Sequence, residues 1–221
     1  MTIAENIAAI YDRIEKTCAE YGCDPSRVHL IAVSKKQDER RIEAALAAGH
    51  RVYGENRVQE AQERWGARRA QYDDLELHLI GPLQTNKVKD AVALFDVIHT
   101  VDREKLARKL ADEMAAQGRD LPCFIQVNTG MEEQKSGIAP AAVPDFIEYC
   151  YGECGMDVRG LMCIPPLDDP PALHFALLKK LADENNLKEL SMGMSADYEA
   201  AIPLGATYIR VGTGIFGERE Y

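Results

Sequence analysis

Eight short runs rich in β-branched residues recur along the chain, and helical patterns separate them. They read HLIAVS, RVYGEN, LELHLIG, DVIHTV, LPCFIQVN, DVRGLMCI, LKELSMGM and TYIRVGTGIF. The helical stretches carry apolar faces at Val88/Val92/Phe95, Leu106/Leu110/Met114, Val143/Phe146/Ile147/Cys150 and Leu173/Leu177/Leu178/Leu181. Gly49, Gly118, Gly155 and Gly205 stand where such helices end. An alternation of this kind demands parallel strands joined by helical crossovers. Units of roughly 25 residues are compact for a (β/α)8 TIM barrel but fit it. A doubly wound open sheet shares the alternation, yet seldom needs eight such even units. The expected class is therefore α/β, a (β/α)8 barrel. Ile3, Ile7, Ile10 and Ile14 add a helix before the first strand. No linker or shift in composition divides the chain, so residues 1–221 read as a single domain.

Charge narrows the partners. Thirty-six acidic residues against 26 lysines and arginines give −10, the wrong sign for a nucleic-acid backbone. A local basic pocket for one small anion remains compatible with that balance. Glu5, Asp12, Arg13, Glu15 and Lys16 interrupt the N-terminal apolar stripe, so it is no secretory signal. No apolar run is long enough to cross a bilayer. The six cysteines, at positions 18, 23, 123, 150, 154 and 163, show neither a CxxC nor zinc-finger spacing. A reducing, cytoplasmic setting with free thiols is expected.

A barrel gathers its chemistry at the carboxyl ends of its strands, with phosphate sites commonly after strands seven and eight. The first strand ends in AVSK, and alternation gives Val33 and Lys35 one face and Lys36 the other. Solvated charge is the commoner role for such a lysine. Drawn into the barrel mouth, Lys35 would lose solvation, release a neutral amine and condense with an aldehyde. After strand seven, Ser195 occupies an expected helix N-cap, with Asp197 in the first turn. After strand eight, Gly212, Thr213 and Gly214 offer bare amides. Capping and turn formation explain each singly; their coincidence at the two expected strand ends favours a phosphate. Arg210, inside the last strand, needs an acceptor if buried: a carboxylate or the ring nitrogen of a pyridine cofactor. Amine, phosphate cradle and arginine together suit pyridoxal 5′-phosphate (PLP).

Seven motifs carry a resemblance along nearly the whole chain: AVSK, YGENRVQE, HLIGPLQTNK, KSG, GLMCIPP, LSMGMSADYEAAI and IRVGTGIFG. In this order they resemble the pyridoxal phosphate homeostasis protein family, whose fold is similar to the N-terminal barrel of alanine racemase. The resemblance implies a PLP-binding protein that holds the coenzyme as an internal aldimine. It implies Lys35 as the Schiff-base residue, with Ser195, Gly212 and Thr213 at the phosphate. It further implies Arg210 at the pyridine nitrogen and Asn56 beside the cofactor. The implied role is intracellular PLP (vitamin B6) homeostasis by storage, buffering or delivery, with apo PLP-dependent enzymes as possible recipients. Pro203 and Cys163 depart from the family pattern without touching a ligand position.

Established turnover is not expected. Arg210 is cationic and cannot take up the proton that would make the ring an electron sink. In the related racemases an opposing tyrosine comes from a second domain, whereas this chain ends at Tyr221, directly after its barrel. The rival readings are a weak single-domain amino-acid racemase, a class I aldolase and an interaction protein on an empty barrel. Without a second domain over the rim, a monomer is expected. Lys135, in the glycine-flanked NTGMEEQKSGI loop, is either a surface lysine or an amine that takes the aldehyde as PLP leaves. His78 and His99 read as satisfied histidines, Trp65 as a buried helix face, and Tyr53 as either a packed ring or a border of the cofactor.

Overall fold

A computed structural model describes residues 1–218; Tyr221 lies outside the described residues. The strands are β1 (His29–Val33), β2 (Val52–Glu55), β3 (Glu76–Leu79) and β4 (Val97–Val101), then β5 (Cys123–Gln126), β6 (Val158–Met162), β7 (Glu189–Met194) and β8 (Tyr208–Val211). They pair in sequence order, and β8 closes on β1 through Leu30↔Ile209 and Ile31↔Arg210. All pairings are parallel. The eight-stranded parallel barrel expected from the alternation is the observed fold. Closure leaves no sheet edge, and it brings the ends of β1, β2, β7 and β8 to one side of the mouth.

α1 (Ile3–Tyr21) begins at a capping box in which Thr2 and Glu5 satisfy each other's backbone amides. Its buried face is Ile7, Ile10, Ile14, Thr17 and Cys18. The crossover helices are α2 (Glu39–Ala47), α3 (Val58–Trp65), α4 (Val88–Leu94), α5 (Glu104–Gln117), α6 (Val143–Glu148) and α7 (Pro171–Glu184). Two single-turn helices follow the last strands, α8 (Tyr198–Ala201) and α9 (Thr213–Phe216). α1 packs on both of them and on α2. Gly49, Gly118, Gly155 and Gly205 all have positive φ, the backbone expected of glycines that end helices.

The expected apolar face of α7 is corrected. Leu173 is 67 % exposed, and the buried side runs through His174, Phe175, Leu178, Leu181 and Ala182. Pro171 opens the helix, and its phase turns the first leucine to solvent.

Most of the core lies between strands and helices as one continuous apolar cluster. The lumen is different. Rings of His78, His99, Phe124 and Tyr208 meet there, with centroids 4.4 to 5.7 Å apart. They come from β3, β4, β5 and β8, which are not all neighbours, so these side chains point inward. Among the described residues no helix is long and apolar enough to cross a membrane.

Candidate functional site

The turn after β1 presents Lys35. β1 stops at Val33, and Ser34 N donates to Gly54 O of β2 at 3.1 Å. Lys35 is half-buried at the mouth, whereas Lys36 has φ 58° and is exposed. A buried knot fixes this turn. Glu55 Oε1 accepts from Ser34 Oγ at 2.6 Å, Arg64 Nη1 at 2.7 Å and Trp65 Nε1 at 3.0 Å. Arg64 also donates to Gln37 O at 3.1 Å, so α3 holds the turn from both sides of Lys35. Glu55 is fully buried and Arg64 only 12 % exposed, so each charge is compensated mainly by the other.

Asn56 follows β2 directly. A Cβ on Gly81 would lie 2.3 Å from Asn56 O, so only glycine lets the segment after β3 approach Asn56 this closely.

Across the mouth, β7 ends in a left-handed glycine. Gly193 has φ 92°, and a Cβ there would lie 2.9 Å from Tyr198 Cα. The chain can then turn Ser195 back toward β8. Its hydroxyl oxygen accepts from Gly212 N at 3.2 Å and Gly214 N at 3.4 Å. This corrects the expected helix cap: Ser195 does not cap α8. Asp197 sits at that cap, and its carboxylate accepts from Met194 N instead. The glycine turn competes for the hydroxyl and wins. α1 supports the turn from behind, where Asn6 Nδ2 donates to Ile215 O at 2.8 Å.

Arg210 is 4 % exposed and, among the described residues, pairs with no carboxylate. Nη1 donates to Ser191 Oγ at 2.7 Å and Nη2 to Cys163 O at 2.8 Å. That leaves most of its five N–H donors for other acceptors. Burial pulls the guanidinium below its usual range, partly offset by Cys163 and Asp197.

These pieces converge on one cavity of about 290 Å³. Its lining includes Lys35, Asn56, Ser195, Arg210, Gly212 and Thr213, all six residues singled out from the sequence. Val33, Gln37, Ile80, Ile164, Met194 and Ala196 complete it. Among the described residues, the charged lining side chains are one lysine and one arginine, with no carboxylate, in a chain of net charge −10. A cavity of this size and charge suits a small anion with an apolar ring.

Lys135 does not line it. Its ammonium pairs with Glu132 at 2.6 Å and donates to Pro165 O at 3.4 Å, on the loops after β5 and β6. Tyr53 is also outside: it is fully buried against Trp65, with centroids 4.4 Å apart, and donates to His50 O. Trp65 is buried as expected, but its indole N–H serves the Glu55 knot. Sequence reasoning missed that knot. The signal was present in the spacing of Glu55, Arg64 and Trp65, but a helix-face reading assigns tryptophan to packing alone.

Residues 5–220 match the model for the alanine racemase, N-terminal domain. The pyridoxal phosphate homeostasis protein of Pseudomonas aeruginosa is 43 % identical over 227 residues, covering 100 % of this chain and 97 % of that one. The Aquifex aeolicus protein of the same name is 38 % identical, with 100 % of each chain covered. PipY of Synechococcus elongatus, solved with PLP bound, superposes with a TM-score of 0.83 at 37 % identity, covering 98 % of this chain and 100 % of PipY. Alanine racemase of Clostridium difficile shares the fold alone, at a TM-score of 0.68 and 15 % identity over 95 % of this chain and 58 % of its own.

Proposed function

The chain belongs to the pyridoxal phosphate homeostasis protein family, and from that premise we propose that its cavity holds pyridoxal 5′-phosphate for intracellular storage, buffering or delivery. The observation that carries this reading is the convergence of amine, guanidinium, hydroxyls and a glycine-rich turn on one cavity whose described lining holds no acid. When bound, the coenzyme supplies an aldehyde carbon open to an amine. Lys35 offers the amine, held at the mouth by the Glu55 knot. Ser195 and Thr213 would offer hydroxyl donors and Thr213 its backbone N–H for the phosphate, with Gly212, whose N–H donates to Ser195 Oγ, holding that hydroxyl in place. Arg210 would donate to the ring nitrogen, and Asn56 would border the ring; both line the cavity. PipY, a relative solved with PLP bound, supports the choice of ligand.

The same lining favours holding over turnover. Arg210 only donates, so beside a bound pyridine ring it would keep the ring nitrogen unprotonated and the ring a weak electron sink. Among the described lining residues, Lys35 is the one side chain with an amine that could act as a base, since a guanidinium keeps its proton. Six unpaired cysteines support a reducing, cytoplasmic place of action.

Absorbance of the purified protein with PLP tests the reading. A visible band should form, borohydride should fix the coenzyme to position 35, and Lys35→Ala should abolish both. No band, or fixation at another lysine, would overturn it. Lys135, at the same rim, is proposed as the amine that takes the aldehyde during hand-over. Lys135→Ala should slow transfer to an apo-enzyme several-fold with the bound spectrum unchanged; an unaltered rate removes that role.

A further inference from the structure

The lumen holds a chain of polar side chains that no step above uses. Arg210 Nη1 lies 2.7 Å from Ser191 Oγ, and Ser191 Oγ lies 2.8 Å from His99 Nδ1. His99 Nε2 is 2.8 Å from His78 Nδ1, and His78 Nε2 is 2.9 Å from Glu76 Oε1. Both histidines and Ser191 are fully buried, whereas the Glu76 carboxylate is 44 % exposed at the start of β3. The path therefore runs the length of the barrel, from the cavity to the opposite end.

Its two ends decide its direction. A guanidinium can only donate, and a carboxylate can only accept. His78 must then carry its proton on Nε2 to meet Glu76, leaving Nδ1 as an acceptor. His99 must donate from Nε2 and accept on Nδ1. Ser191 must donate its hydroxyl proton to His99 and accept from Arg210. Every interior group gives one hydrogen bond and takes one, with both imidazoles neutral. Any other arrangement leaves a buried donor or acceptor unmet.

We propose that Glu76, His78, His99 and Ser191 form a one-way hydrogen-bond relay that positions Arg210 toward the ring nitrogen of the bound coenzyme. The coenzyme half of this inference rests on the ligand reading above; the relay itself does not. These four are positioning residues, since only Arg210 borders the cavity.

The groups facing the relay agree with a neutral interior. Arg210 bears on His99 from β8, with Tyr208 below it and Phe124 of β5 stacked on His99 at 4.4 Å. At the far end, Glu76 is accompanied by His29 of β1 and Arg159 of β6, while Glu189 of β7 neighbours those same two groups. A proton added to His99 would face Arg210 and turn an N–H at Ser191, displacing the hydroxyl proton. Burial first, and the Arg210 charge with it, hold the His99 imidazole well below its usual range.

Nitrogen-15 NMR of the histidines, on the full chain without added PLP, tests the relay. At pH 7 both His78 and His99 should be neutral and protonated on Nε2. Glu76→Leu should give mixed tautomers, and Glu76→Gln, which keeps an accepting oxygen, should restore the single form. An imidazolium, or a proton on Nδ1 of His99 in the unmodified protein, overturns the relay whether or not PLP binds. Positioning is read separately, from the PLP absorption maximum and Kd. Ser191→Ala and Glu76→Leu should shift the maximum and weaken binding, Ser191→Ala by roughly tenfold, the scale of one charge-assisted hydrogen bond. Glu76→Gln should match the unmodified protein. Spectra and affinities unchanged in both variants, with the tautomers as expected, overturn the positioning role. A protein that takes no PLP at all fails the ligand reading instead, and leaves the tautomer result standing.

Discussion

Two buried polar networks flank the cavity, and they solve the same problem in opposite ways. The knot beside Lys35 carries full charges: Glu55 with Arg64, closed by Ser34 and Trp65. It lies between the barrel and α3, and its members come from β2, α3 and the turn after β1. The lumen chain behind Arg210 is neutral through Ser191, His99 and His78, with its charges at the two ends. A charge pair tolerates burial when both partners sit within one short supersecondary unit and meet at good geometry. Inside the lumen no helix can supply a counter-charge, so tautomer choice does the compensating. Charge in the first network and proton direction in the second hold a cation at the mouth.

Glu55→Leu should expose that contrast most strongly. It leaves Arg64 buried without its carboxylate and removes the acceptor for Ser34 and Trp65. Removing one partner of a buried pair destabilises by about 3–5 kcal/mol, so the urea midpoint should fall steeply. Glu55→Gln retains an acceptor and should lose clearly less. Equal losses for the two would mean that charge is irrelevant to the knot, and the contrast with the lumen would break. Because the knot also frames Lys35, the leucine variant should bond PLP more slowly, measured as the rate of band formation.

The barrel was legible because closure is written in periodicity: eight alternating units admit few topologies. The mouth residues were legible because a barrel dictates where its strands end, so Lys35, Ser195, Arg210 and Gly212 could be placed by position alone. What stayed hidden depends on side-chain direction across the fold. Ser195 looks like a helix cap locally, and only β8's return reveals the amides of Gly212 and Gly214 as its donors. His78 and His99 are 21 positions apart, and Ser191 is 92 positions beyond His99. No local pattern announces that three such residues share one lumen. Leu173 misled for a related reason: leucines at 173, 177, 178 and 181 satisfy more than one helical face, and packing selects among them.

Acid should separate the two networks by a smaller effect. An imidazole held neutral by burial favours the native state in full above the unfolded pKa of 6.5. Below 6.5 the unfolded chain takes protons that native His99 refuses, so stability falls as pH falls. His50, lowered chiefly by burial and bonded at 2.8 Å to Val52 O, acts with the same sign. Each contributes a slope of at most about 1.4 kcal/mol per pH unit. Glu76 is held below 4.5 chiefly by its bond to His78, so its contribution is intact above 4.5 and lost only at lower pH. Glu189 opposes the trend: burial raises its carboxyl, so its protonation favours the native state as pH falls through that raised value. Between pH 7.5 and 5.5 the histidines should dominate, and the urea midpoint should drop. His50→Gln should remove its own share and leave a slope that belongs to the lumen. If that variant is flat across the same range, His99 carries no penalty for protonation, and a neutral lumen chain ceases to be the counterpart of the charged knot.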